Sequence, residues 1–127
     1  MSKETILIVE DSRDLRDLLK TVLESNGYAA ECASNGQEAL SLLSGQLTHL
    51  PGLILLDTQM PLVDGFEFRK KQSIDTRLQN IPVIVMTGDK GFNVNMKMRS
   101  PHSVVSKPFN IDFLLNSISE VFSPMIA

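Results

Sequence analysis

The stretch Leu53-Ile54-Leu55-Leu56-Asp57 constrains the fold most, because four consecutive aliphatic residues end in a carboxylate. A short run that is apolar on both faces is typical of a strand buried between two layers of helices. Pro61 and Asp64-Gly65 indicate that a loop follows it. Such a strand would present Asp57 at its carboxyl end, where open parallel sheets bind ligands and carry out chemistry. On this stretch alone, a turn cap is the competing interpretation of Asp57.

Hydrophobic patterning predicts that strands and helices alternate along the chain. Segments that read as buried strands are followed by amphipathic, helical spacing and then by turn signals such as Asn26-Gly27 and Asn35-Gly36. This alternation predicts parallel β-α-β units and a three-layer α/β domain with a five-stranded sheet. Besides 53–57, the predicted strands are 6–9, 28–33, 81–86 and 103–106, and the predicted helices are about 13–26, 39–47, 65–73 and 111–122, the last with Asn110 as its cap.

The helix between the fourth and fifth strands, the fourth of about five, is the exception. From Phe92 to Arg99 apolar and polar residues alternate with a period of two, which places apolar side chains on opposite faces of a helix. Pro101 also disfavours helix at the residue before it. We expect this helix to be short, distorted or mobile; the alternative is a helix with an apolar face left for a partner.

Length and composition exclude several classes of protein. The 127 residues, 43% of them hydrophobic, suit one domain over 1–127 with one core. The net charge of −3 and the absence of a basic stripe argue against direct binding of nucleic acid. The apolar runs are far below the roughly 20 residues that a membrane span needs, and no secretory segment follows Met1. We therefore expect a soluble, cytoplasmic protein.

Polar residues fall at or just beyond the carboxyl ends of the predicted strands. They are Glu10, Asp11, Asp57, Thr87 and Lys107. In a parallel sheet these ends share one edge, so the five residues can meet in one pocket. Three converging carboxylates repel one another unless a cation binds, and oxygen ligands favour Mg²⁺. A lysine and a hydroxyl beside the metal would surround a phosphoryl group, which predicts phosphoryl transfer with Asp57 as nucleophile.

At these residues the sequence resembles the receiver domain of two-component response regulators, in its stand-alone, chemotaxis-regulator-like form. The matching motifs are Glu10-Asp11, Asp57-x-x-Met60-Pro61-x-x-Asp64-Gly65, Thr87 and Lys107-Pro108. The resemblance implies a flavodoxin-like, doubly wound sheet with strand order 2-1-3-4-5. It also implies that a sensor histidine kinase or a histidine phosphotransfer protein donates a phosphoryl group to Asp57.

The resemblance further implies roles for the other site residues. Glu10, Asp11, Asp57 and the backbone carbonyl of Gln59 would hold Mg²⁺. Lys107 would pair with Asp57 and then with the phosphate, and Thr87 would move toward the phosphate. The Lys107-Pro108 peptide is expected to be cis.

Three positions are expected to modulate the response. Gln59 and Asp89 lie two residues beyond Asp57 and Thr87, where the family resemblance implies an influence on phosphate lifetime. Many receivers carry a switching aromatic three residues before the lysine, whereas this chain has Val104. The signal would then pass through the backbone, or the switch would be weak.

These observations favour a phosphorylation-dependent switch that relays its signal through altered binding of a downstream protein. Its catalysis would be limited to its own phosphorylation and dephosphorylation, so we do not expect an enzyme with a separate substrate. One alternative is a degenerate receiver that binds partners regardless of phosphate. The other is a Mg²⁺-dependent phosphatase that uses Asp57 as its nucleophile. Such an enzyme is expected to have a general acid two residues after the nucleophile, and this chain has Gln59 there, which argues against this alternative.

Overall fold

Five strands and the helices between them follow the predicted alternation. The structure is a computed structural model and describes residues 4–46, 49–58, 65–87, 103–107 and 110–122. The strands are β1 (Thr5–Val9), β2 (Ala29–Ala33), β3 (Leu53–Asp57), β4 (Val83–Thr87) and β5 (Ser103–Ser106). The helices within the described ranges are α1 (Arg13–Ser25), α2 (Gly36–Ser41), α3 (Gly65–Ile74) and α4 (Ile111–Phe122).

The sheet is parallel and has the order β2-β1-β3-β4-β5, which confirms the predicted topology. β3 lies at its centre, and all of its residues are buried, as expected for a run that is apolar on both faces. One face of the sheet packs against α1 and α4 through residues such as Leu19 and Leu114. The other face packs against α2 and α3 through residues such as Ala39 and Phe68. Asp57 thus ends the most enclosed strand of the domain.

The start of α1 fixes the loop that follows β1. Ser12 caps the helix, its hydroxyl accepting a hydrogen bond from the Leu15 backbone N–H at 3.3 Å. Serine is favoured at this position because its oxygen satisfies an N–H that has no partner within the helix. The helix ends at Ser25, and Gly27 follows with a φ of 92°, a left-handed conformation that glycine adopts readily. Because Ser12 directly follows the acidic pair Glu10-Asp11, its position as the N-cap of α1 helps to fix where that pair lies.

Two predicted elements differ clearly from the structure, whereas the bounds of the others agree to within one residue. β4 begins at Val83 rather than at residue 81, because Pro82 has no N–H to donate to a neighbouring strand. The second helix, predicted to run to about residue 47, is α-helical only to Ser41 and continues as a π-helical turn, Leu42–Gln46. Gly45 in that turn has a φ of 144°, which is incompatible with continued α-helix.

The apolar face predicted for α3 is partly wrong. Ile74, expected as an apolar packing position, is 79% exposed, whereas Gln72 is fully buried. The Gln72 side-chain amide donates to the backbone carbonyls of Leu78 and Ile81, at 2.9 and 3.1 Å. Backbone carbonyls that are removed from water need a hydrogen-bond donor, which the Gln72 amide provides. This need explains why a polar residue of α3 is buried.

Several expectations fall outside the described residues. These are the helix between β4 and β5, which would lie within 88–102, and the peptide between Lys107 and Pro108. Among the helices that the structure does describe, none combines the length and the apolar character needed to cross a membrane.

Candidate functional site

The predicted site residues converge at the carboxyl edge of the sheet. Glu10 directly follows β1, Asp57 and Thr87 are the last residues of β3 and β4, and Lys107 directly follows β5. One carboxylate oxygen from each of Glu10, Asp11 and Asp57 lies within 4.8 Å of the other two. Strand ends that are distant in sequence therefore bring Glu10, Asp11, Asp57 and Lys107 close together.

The acidic pair after β1 is held by several hydrogen bonds. The Glu10 N–H donates to the Ala33 carbonyl at 3.0 Å, and the Ser12 N–H donates to Glu10 Oε2 at 3.1 Å. Arg16 Nη1 donates to the backbone carbonyls of Glu10 and Asp11, at 2.9 and 3.0 Å. Glu10 is buried, whereas Asp11 is exposed. The pair thus presents one enclosed and one solvent-facing carboxylate from a braced loop.

Lys107 bridges the two buried acids. Its Nζ lies 2.7 Å from Glu10 Oε1 and 3.3 Å from Asp57 Oδ1. Its backbone N–H also donates to the Thr87 carbonyl at 2.6 Å, which ties the residue to the end of β4. The predicted pairing with Asp57 is present, but the shorter contact is the one to Glu10.

The carboxylates and the lysine perturb one another's protonation. Burial, together with the nearby Asp11 and Asp57, raises the pKa of Glu10 to about 7, despite the opposing hydrogen bonds from Lys107 and Ser12. Burial lowers the pKa of Lys107, but its contacts with Glu10 and Asp57 outweigh that effect and raise it overall. The site therefore holds more negative charge than one ammonium group compensates.

The donor set fits a hard divalent cation. Its described side-chain ligands are carboxylate oxygens on three residues, gathered within 4.8 Å. Mg²⁺ prefers a few carboxylates and keeps coordination positions for water and phosphate oxygens. A cation would offset the mutual repulsion of three carboxylates that lie this close together. The cluster could therefore hold Mg²⁺.

Two residues near the site were not singled out by sequence reasoning. Thr58 is buried, and its hydroxyl donates to the hydroxyl of Thr87 at 3.3 Å. Arg16 braces the acidic loop as described above. Thr58 could have been found as a second hydroxyl residue at the carboxyl end of a central strand. The spacing of Arg16, five residues after Asp11, places it one turn into α1 and so within reach of the loop carbonyls.

The residues expected to modulate the response are only partly described. Val104 lies in β5, opposite Val85 of β4, and is 39% exposed. Gln59 and Asp89, like the Met60–Asp64 part of the motif, lie outside the described residues.

Comparison with known proteins assigns a family. A family model described as the response regulator receiver domain matches residues 6–119. Sporulation initiation phosphotransferase F of Bacillus subtilis is 34% identical over 122 residues, covering 94% of this chain and 94% of that protein. The polar-differentiation response regulator DivK of Brucella anthropi is 33% identical, covering 91% of this chain and 93% of that protein.

A third relative is longer than this chain. Response regulator Rre1 of Synechocystis is 34% identical over 87% of the chain, but the match spans only 48% of that protein. This chain therefore corresponds to about half of Rre1.

Solved structures share the fold. The chemotaxis protein CheY4 of Vibrio cholerae superposes with a TM-score of 0.84 at 26% identity, covering 94% of this chain and 99% of that one. The signal receiver domain of a histidine kinase from Syntrophus aciditrophicus gives 0.84 at 33% identity, covering 94% and 90%. With the strand order and the converging strand ends, these matches show that the chain belongs to the response regulator receiver domain family of two-component signalling.

Proposed function

We propose that the chain is a phosphorylation-dependent switch in which Asp57 accepts a phosphoryl group in a Mg²⁺-dependent reaction. The observation that carries this proposal is the setting of Asp57. It is buried at the end of the central strand, its carboxylate lies beside those of Glu10 and Asp11, and Lys107 Nζ is 3.3 Å away. This combines a nucleophile, ligands for a cation and a fixed positive charge, which are the parts that phosphoryl transfer needs.

The phosphoryl donor would be a phosphohistidine on a sensor histidine kinase or a histidine phosphotransfer protein. A carboxylate oxygen of Asp57 attacks phosphorus, and the new O–P bond forms as the P–N bond breaks. The electron pair of that bond stays on the imidazole nitrogen, which solvent protonates. The relative named a phosphotransferase supports transfer chemistry of this kind.

The remaining residues would stabilise the charge that arrives with the phosphoryl group. Mg²⁺, when bound, would supply positive charge that offsets the negative charge of the phosphoryl group. Glu10, Asp11 and Asp57 would hold it, together with the backbone carbonyl of Gln59 that the family resemblance implies. Lys107 would pair with the phosphoryl group once Asp57 is esterified. The hydroxyl of Thr87 would move to donate a hydrogen bond to it.

The output would be altered binding of a downstream protein. Catalysis would be confined to the domain's own phosphorylation and dephosphorylation, with Gln59 and Asp89 affecting how long the acyl phosphate lasts. Val104 offers no large aromatic rotamer change, so we infer that the signal passes through the backbone around β4 and β5. This would make the chain a signalling module rather than an enzyme with a separate substrate.

The test is phosphorylation by a small donor. The protein is incubated with Mg²⁺ and acetyl phosphate, and its intact mass is measured. We expect the wild type to gain one phosphoryl group, and Asp57→Asn to gain none. Asp112→Asn makes the same change at an exposed position in α4 and should behave as the wild type.

Three outcomes would contradict the proposal. The first is a mass gain that persists in Asp57→Asn. The second is absence of any gain in the wild type with acetyl phosphate and also with a phosphorylated histidine phosphotransfer protein, which would favour a phosphate-independent interaction module. The third is steady turnover of varied phosphate esters, which would favour a phosphatase.

A further inference from the structure

Thr58 and Thr87 connect the ends of the two strands that flank the site. The hydroxyl of Thr58 donates to the hydroxyl of Thr87, with the two oxygens 3.3 Å apart. Each residue is only 3% exposed, so water competes little for this hydrogen bond. Thr58 directly follows Asp57, and Thr87 ends β4. The contact therefore lies beside the carboxylate that is proposed to accept the phosphoryl group.

The backbone around this contact leaves Thr58 little freedom to follow a moving partner. The Thr58 N–H donates to the Met86 carbonyl at 3.2 Å, which holds the Thr58 backbone against β4. The Thr87 carbonyl accepts from the Lys107 N–H at 2.6 Å, so Thr87 would move through its side chain rather than its backbone. Movement of Thr87 toward Asp57 would therefore separate the two hydroxyls. Thr58 would then keep a buried hydroxyl whose hydrogen-bond partner had left, which is unfavourable.

We propose that Thr58 is a positioning residue whose hydroxyl holds Thr87 in its unphosphorylated position and so opposes the switch. The inference rests on the proposed function, because it assumes that Thr87 turns toward a phosphoryl group on Asp57. Thr58 sets how far the equilibrium lies toward the resting state. The loss of one buried hydrogen bond of this type corresponds to a change of about three- to tenfold in an equilibrium constant.

The test measures binding of a phosphoryl mimic. Beryllium fluoride is titrated into the protein in excess Mg²⁺, and the bound fraction is read from the ¹⁹F NMR signal. Thr58→Val replaces the hydroxyl by a methyl group of similar size, and we expect it to bind the mimic about three- to tenfold more tightly. Thr58→Ser restores the hydroxyl and should return the affinity to within about twofold of the wild type.

Repeating the measurement in a Thr87→Ala variant distinguishes this role of Thr58 from a role in packing alone. If Thr58 acts through Thr87, the effect of Thr58→Val disappears when Thr87 is already alanine. A residue that only packs the strand ends would change stability by a similar amount in either background. Thermal unfolding of all variants provides that comparison, and Thr58→Ala, which also lacks the hydroxyl, replaces Thr58→Val if the latter does not fold.

Two results would overturn the proposal. One is equal or weaker binding by Thr58→Val or Thr58→Ala, and the other is an affinity gain that persists in the Thr87→Ala background. Failure of the underlying function looks different: the wild type itself would bind no beryllium fluoride, or Asp57→Asn would bind as well as the wild type.

Discussion

The ammonium group of Lys107 lies between two buried carboxylates and is closer to Glu10 than to Asp57. Glu10 is 1% exposed, so its charge is largely removed from water and depends on this partner. A lysine in this position therefore stabilises the unphosphorylated fold, in addition to its proposed role toward phosphate. Replacement of Lys107 should therefore affect both the stability of the fold and the proposed response to phosphate, and the two effects can be measured separately.

Replacement of Lys107 by methionine should lower stability. Glu10 would lose a charge-assisted hydrogen bond, which corresponds to about 1.5–3 kcal/mol in the free energy of unfolding. Urea denaturation monitored by circular dichroism measures this change. Lys20→Met is the matched control, because Lys20 lies on the exposed surface of α1.

The pairing can be checked by a second substitution. Glu10→Gln removes the buried charge, so the double variant with Lys107→Met should recover part of the lost stability. Equal stability of Lys107→Met and Lys20→Met would show that the Lys107–Glu10 contact contributes nothing to the fold.

Arg16 acts on the same loop from the first turns of α1. Its guanidinium donates to the backbone carbonyls of Glu10 and Asp11 and so orients both acids without contacting their carboxylates. Residues that orient metal ligands commonly affect metal affinity by about 10- to 100-fold. We expect Arg16→Met to weaken Mg²⁺ binding by about tenfold in a calorimetric titration.

Arg13→Met is the control for this measurement. It removes the same charge from the same helix, but the Arg13 side chain is 84% exposed and pairs only loosely with Asp17, at 3.9 Å. Both variants therefore lose one positive charge from α1, but only Arg16→Met also loses the hydrogen bonds to the acidic loop. If the two variants bind Mg²⁺ equally, Arg16 acts only through its charge and not as a brace.

At the scale of elements, the start of α3 lies directly against the end of β3. A Cβ atom at Gly65 would stand 2.5 Å from the Asp57 carbonyl oxygen and 2.9 Å from Thr58 Cα. Both are backbone atoms, of the last residue of β3 and of the residue that follows it, so they cannot move aside cheaply. Glycine at this position lets α3 approach the site as closely as it does.

Gly65→Ala should therefore impair both stability and phosphorylation. We expect a loss of about 1–3 kcal/mol in the free energy of unfolding, typical of overpacking, and slower uptake of phosphoryl groups from acetyl phosphate. Urea denaturation and intact mass over time measure the two effects. Phosphorylation should slow because α3 and the end of β3, where Asp57 lies, must shift apart to make room for the methyl group.

Gly27→Ala is the control that separates the loss of stability from the slower phosphorylation. Gly27 has a φ of 92°, and a Cβ there would meet nothing within 4 Å, so alanine costs stability through backbone strain alone. Gly27 precedes β2, at the sheet edge opposite the site. We expect it to lose stability but to be phosphorylated at the wild-type rate. A normal phosphorylation rate in Gly65→Ala would contradict the role given to this close approach.

For the whole molecule, the sequence predicted the features that depend on patterning. The burial of β3 and the meeting of Glu10, Asp57 and Lys107 follow from hydrophobic periodicity and from parallel topology, whereas the strand order was implied by the family resemblance. What escaped prediction depends on side-chain contacts. The Thr58–Thr87 hydrogen bond requires a known register between β3 and β4, and the burial of Gln72 requires knowing where two later carbonyls turn.

Binding of Mg²⁺ should stabilise the folded domain as a whole, because the ligands come together only when β1 and β3 are paired. At a tenfold excess over the dissociation constant, this linkage contributes about 1.4 kcal/mol. For a domain of this size, that corresponds to a rise of about 5 °C in the Tm. Differential scanning calorimetry with and without Mg²⁺, at constant ionic strength set by NaCl, measures the shift.

Asp11→Asn is the variant that tests whether the acidic cluster causes this shift. Asp11 is the exposed member of the cluster, so its replacement leaves the buried core unchanged while it removes one ligand charge. We expect the Mg²⁺-induced rise in Tm to fall below about 1 °C. Asp112→Asn, on the exposed surface of α4, should keep the full shift. A shift that survives in Asp11→Asn, or that NaCl alone reproduces, would mean that the stabilisation comes from charge screening and not from a cation held between β1 and β3.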